Sequence, residues 1–144
     1  RFPEGKAQMA EAVMDVAYQW MDTEALAPLR DETLEPRERI GRMTGLLNDF
    51  YDGGKKACLL DALTLGEADT PLRAAAKGVM DIWIEAMAAL ARAEGASATE
   101  ALARAEDAVG HVQGSLIVSR VQGKPSVFRR ALEELPELLL GPAA

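Results

Sequence analysis

The sequence predicts an all-α domain, an orthogonal bundle of about six helices, and three observations carry that prediction. Ala and Leu supply 44 of the 144 residues, whereas Val, Ile and Thr together supply 18, so helix formers far outnumber strand formers. No segment alternates strictly between apolar and polar residues. Proline and glycine divide the chain at intervals that suit helices of three to seven turns.

The first helical stretch runs from about Gly5 to Leu29, with Met9, Val13, Val16 and Trp20 on one arc that Met14, Ala17 and Met21 widen. Pro28 and the charged run from Asp31 to Arg39 interrupt it, a solvated connector with no assigned function. Pro36 opens a second helix through Ile40, Met43, Leu47, Phe50 and Tyr51, which Gly53-Gly54 ends or bends. A short apolar piece around residues 57–63 leads to a polar loop at 66–69. Thr70 and Pro71 are placed as cap and first residue of a long helix. Its face carries Leu72, Val79, Trp83, Ala86 and Leu90, and Gly95 closes it. Ser97-Ala98-Thr99-Glu100 reads as a capping box opening the helix to Gly123. Pro125-Ser126 begins the last helix, with Phe128, Leu132, Leu135 and Leu139 in register and Pro136 expected to end or kink it.

A net charge of −7 repels phosphate backbones, so nucleic-acid contact by this chain alone is not expected. No apolar run reaches the roughly 20 residues of a membrane helix, and no signal segment opens the chain. The single Cys58 has no internal disulfide partner, and a cytoplasmic setting is the simplest expectation. The absence of an initiator Met before Arg1 leads to the expectation of an upstream segment. With one His and one Cys, and with Ala108 three residues before His111, the motifs for metal, cofactor and catalytic chemistry are missing. Asp107 and His111 share a helical face, but a local hydrogen-bonded pair is the simpler reading. No cofactor, no metal and no enzyme activity are expected.

Two sets of residues remain. Large adaptable side chains on the first, second and fourth helices suit a pocket for a small hydrophobic or amphipathic molecule. The candidate lining comprises Met14, Tyr18, Met43, Leu47, Phe50, Tyr51, Met80, Trp83, Met87 and His111, with Trp20 nearby. A Met and aromatic stripe at helical spacing serves equally as plain core, and both readings stand at this point. The second set lies on the 97–122 helix, where Gly110, Gly114 and Ile117 run beside the Val109-Val112-Leu116 face. A helix apolar over more than half its circumference must be covered on two sides, and a partner subunit can supply one.

The opening Phe2-Pro3-Glu4-Gly5-Lys6 resembles the turn that follows the recognition helix in TetR-family repressors of the LmrA/YxaF-like subgroup. The Gly53 to Leu60 segment, the Val112 to Arg120 stretch and the Phe128-Arg129-Arg130-Ala131-Leu132…Leu135-Pro136 pattern resemble the same subgroup in order and spacing. The resemblance implies that residues 1–144 form a regulatory domain, with 1–6 the remnant of its junction to an upstream helix-turn-helix domain. It implies a homodimer whose four-helix bundle takes 97–122 and 126–139 from each subunit. The implied interface residues are Val109, Gly110, Gln113, Gly114, Ile117, Val121, Phe128, Leu132 and Leu135. Lys6 is implied to touch a DNA phosphate at a helix N-terminus. The implied function is a ligand-responsive repressor that releases operator DNA when a small hydrophobic ligand fills a helical cavity. The alternative is a helical protein–protein interaction module without a small-molecule ligand.

Overall fold

The computed structural model describes residues 5–58 and 70–142, and among them every regular element is helical. Helix α1 spans Lys6–Trp20, free of Gly and Pro, and follows Gly5 at φ 74°. A π-helical turn at Met21–Ala25 joins it to the short α2, Ala27–Arg30. The Leu26 N–H reaches back five residues to the Met21 carbonyl at 3.0 Å, so the turn holds one residue more than an α-turn. The stretch expected as one helix from Gly5 to Leu29 is therefore interrupted in phase although the chain keeps coiling.

A second departure from expectation lies in α1 itself. Of α1 only Met14 is buried, while Met9, Val13 and Val16 are 47%, 37% and 70% exposed. Their spacing is helical, but the arc faces outward; beyond the π-turn, Leu26 and Leu29 return to the core. The connector at residues 31–35 is a built turn. The Asp31 carboxylate accepts the Thr33 N–H at 3.0 Å and the Thr33 hydroxyl at 2.6 Å. Those two bonds hold the Asp31 carboxyl below its ordinary pKa.

Helix α3, Pro36–Phe50, has proline in its first turn and buries Ile40, Met43 and Leu47. It ends as the sequence implies, in a 3-10 turn at Asp52–Gly54. The Tyr51 carbonyl accepts N–H groups from Gly54, Lys55 and Lys56 at 3.0, 3.0 and 3.1 Å. Gly54 has φ 101°, and a Cβ there would stand 2.7 Å from Phe128 Cβ, so a side chain is excluded twice over. Most of the apolar piece expected at residues 57–63, and the polar loop at 66–69, lie outside the described residues.

Helix α4, Thr70–Ala93, buries Ala76, Val79, Trp83, Met87, Leu90 and Ala91. Gly95 at φ 105° closes it, with Gly95 N–H bonded to the Arg92 carbonyl and Ala96 N–H to Ala91. Helix α5, Ala98–Gln122, begins at Ser97, whose hydroxyl accepts the Glu100 N–H at 3.2 Å. The Glu100 carboxylate pairs with Arg104, so only the serine half of the expected capping box forms.

Helix α6, Pro125–Leu140, continues past Pro136 where an end was one of the two expectations. Three features outweigh the lost backbone bond. Leu135 and Leu139 on either side are completely buried. Arg37 donates to the Gly141 carbonyl at 2.7 Å, and Arg104 donates to that of Leu139 at 3.3 Å, satisfying acceptors at the helix end. At the other end the buried Ser119 hydroxyl accepts the Phe128 N–H at 2.8 Å, clamping α6 to α5. Helix α5 is the spine, packed on one side by α4 and on the other by α6; α1 lies against α4, and α3 against α6. No described helix is long and apolar enough to cross a membrane.

Candidate functional site

The core gathers most of the residues expected to line a ligand cavity. Met14, Met43, Leu47, Trp83 and Met87 are at most 1% exposed, and Tyr51 is buried beside them. Tyr18 and Met80 are half-buried against the same cluster. Phe50 stands at its rim, stacked on Trp20 with ring centroids 4.2 Å apart and edge-on to Tyr51 at 5.0 Å. Tyr51 in turn meets Phe128 edge-on at 5.7 Å. The structure thus brings Met43, Leu47, Tyr51, Trp83 and Met87 into one core cluster with Tyr18 and Met80 packed against it and Phe50 at its rim, while Met14 is buried outside that cluster.

His111 is the exception. It projects from the α5 surface toward α6, where its Nε2 lies 2.8 Å from Glu134 Oε2. Glu134 also lies 3.8 Å from Arg130 Nε, making a small ionic group between the two helices. Sequence spacing gave no warning of this, because residues 23 apart meet only once two helices have packed side by side. No cluster of metal-ligating side chains occurs among the described residues.

Within the apolar core, a few polar atoms stand out. The Tyr51 hydroxyl donates to Cys58 Sγ at 3.8 Å, a weak bond. Burial, and then the Cys58 thiol, push the Tyr51 phenol well above its ordinary pKa, while the Gln113 side chain acts in the opposite sense. Gln113 thus faces Tyr51, although its Nε2 makes no hydrogen bond of normal geometry. Trp83 Nε1 is buried and likewise without a partner. The Tyr51–Cys58 contact was not foreseen, since it depends on the tight turn between them.

A cleft of about 610 Å³ lies outside this core, between α2 and the outer side of α4, and is lined by Leu29, Arg30, Arg39, Ile82, Glu85 and Ala86 among others. None of the expected ligand-lining residues belongs to it.

The residues expected at a subunit interface divide into two groups. Phe128, Leu132 and Leu135 of α6 and Val109 of α5 are buried inside this chain, so their side chains already have partners. Their helical register is shared by the inner and outer faces of a two-helix pair, which is why spacing alone could not separate them. Gln113 is half-buried, its amide nitrogen inside. Gly110, Gly114, Ile117 and Val121 form the outward stripe, and Ile117 and Val121 are 49% and 83% exposed. Nothing lies within 4 Å of a Cβ built on either glycine, leaving a flat, backbone-lined strip. Lys6 is exposed in the first turn of α1.

Among the described residues the domain has six α-helices, with methionines in its interior and an exposed apolar stripe on its terminal helix pair. The family model for the C-terminal domain of LmrA/YxaF-like transcriptional regulators matches residues 36–134, and the chain belongs to that TetR-type family. The crystal structure of a TetR transcriptional regulator from Legionella pneumophila superposes with a TM-score of 0.79 at 19% identity, covering 96% of this chain and 75% of that one. At that identity the likeness speaks for the fold. No curated protein matches the chain.

Proposed function

We propose that this chain is the ligand-sensing and dimerising domain of a TetR-type repressor acting in the cytoplasm. The observation that carries the reading is the outward stripe Gly110, Gly114, Ile117 and Val121 on the helix pair that closes the domain. Two such stripes related by a two-fold axis cover one another, and the glycines let the backbones approach closely. The buried set from Met14 to Met87 supports ligand sensing, since thioethers repack around a guest at small cost. Operator DNA is contacted through a separate headpiece, with Lys6 adding a phosphate contact where α1 meets it. Ligand occupation shifts the dimer between two arrangements by no more than the ligand's differential affinity for them.

Light scattering tests the reading directly. The expected mass is twice 15.5 kDa over a wide concentration range. Ile117→Glu combined with Val121→Glu is expected to give a monomer of unchanged helix content, because both side chains are exposed in the single chain. A wild-type monomer at high concentration would favour an interaction module for a different protein.

A further inference from the structure

The outward stripe of α5 changes size from one end to the other. Successive residues of a helix are turned by about 100°, which puts Gly110, Gly114, Ile117 and Val121 along one line and the buried Ala105, Val112 and Leu116 on the opposite side. The N-terminal half of the line is bare backbone at Gly110 and Gly114, where a Cβ would meet nothing within 4 Å. The C-terminal half is bulky, with Ile117, Val118 and Val121 all exposed. In a two-fold interface each contact occurs twice, residue i of one chain on j of the other and j on i. The pairs Ile117–Gly114 and Val121–Gly110 share one midpoint, between Ser115 and Leu116, so a single axis there satisfies both when the helices run antiparallel. A parallel pairing lays glycine on glycine and valine on valine, leaving a hollow at one end and crowding at the other.

The charges agree with the same axis. Asp107 and Lys124 are exposed and make no ion pair among the described residues, and they flank that midpoint equally. Each chain's carboxylate thus lies level with the other's ammonium. The contacts Ser119–Phe128 and His111–Glu134 set Ala131 of α6 level with the midpoint, which stands the exposed Arg130 of one chain near the exposed Glu133 of the other.

We propose that two chains meet in one antiparallel register centred between Ser115 and Leu116, with Ile117 and Val121 of each seated in the notches at Gly114 and Gly110 of the other, and that this register selects a second copy of this chain as partner. It rests on the dimer reading and adds to it a geometry and a selectivity. The notches admit side chains because glycine lets the facing helix come close. A similar chain that carries a side chain in place of either glycine meets Ile117 or Val121 head-on, so it is rejected by overpacking. The level charges act in the same direction, since a shifted register brings Glu133 and Asp107 away from their cations.

Distances between nitroxide labels test the register. Single labels are placed on Gln122→Cys, Glu106→Cys and Leu102→Cys, all exposed positions of α5, in the 144-residue chain with Cys58→Ser. A rise of about 1.5 Å per residue predicts separations along the helices of about 20, 29 and 41 Å between the two copies, in that order. Equal distances at the three sites, or a distance that shortens from Gln122 to Leu102, overturn the register while leaving the dimer. A monomeric mass in light scattering overturns the dimer reading and the register with it. An exchange of knob and notch tests the selectivity. Gly114→Ile is expected to weaken self-association at least about tenfold, because its new side chain meets Ile117 of the partner, while circular dichroism stays unchanged. Adding Ile117→Ala to that variant is expected to restore most of the loss, since the bulk has only changed sides. A double variant no tighter than Gly114→Ile alone overturns the pairing of these two positions.

Discussion

Helices α1 and α5 both carry apolar residues that face away from the core, yet they are anchored very differently. Helix α5 has eight buried residues spread over its whole length, from Ala101 to Ser119, and α4 and α6 grip it from two sides. Helix α1 is buried at Met14 alone and leans on α4. An apolar outer stripe on a fixed helix is a platform, whereas the same chemistry on a lightly held helix belongs to an element that can move. On the function proposed above, the difference suits the two ends of the domain to different tasks, association at α5 and α6 and transmission at α1.

Three substitutions sharpen or break this contrast. Phe128→Ala removes a fully buried ring that contacts Tyr51 and seats Gly54, and should cost about 3–5 kcal/mol, read from the urea midpoint at constant slope. Ser97→Ala removes the hydroxyl that caps α5 and should cost about 1 kcal/mol by the same measurement. Val16→Ala, on the exposed arc of α1, should stay within about 0.5 kcal/mol of wild type. A cost at Val16 approaching that at Phe128 would mean that the outer face of α1 is covered in solution, and the contrast would fail.

Much of the fold was legible because its boundaries are set by local chemistry. Pro36 and Pro125 open helices, Gly95 and Gly123 close them in positive-φ conformations, and Ser97 caps α5. What escaped depends on tertiary packing. Continuation through Pro136 needed Arg37 and Arg104 from elsewhere in the chain to reach the helix end. The outward rotation of Met9, Val13 and Val16 depends on how α1 seats on α4, which period alone does not reveal. The candidate lining was drawn from Met and aromatic residues that recur at helical spacing, and most of them lie in or against the core, His111 excepted. The inward turn of Gln113 was not legible, since the resemblance placed it at a subunit interface and its neighbour Tyr51 is remote in sequence.

The π-turn at Met21–Ala25 holds a surplus residue between the segment that begins at Lys6 and the rest of the domain. Expelling that residue into the flanking helix would turn everything upstream by about 100° around its own axis, the angle of one α-helical step. The backbone there can thus gear a change of one hydrogen bond, made beside the core, into a large swing of whatever is joined to the start of α1.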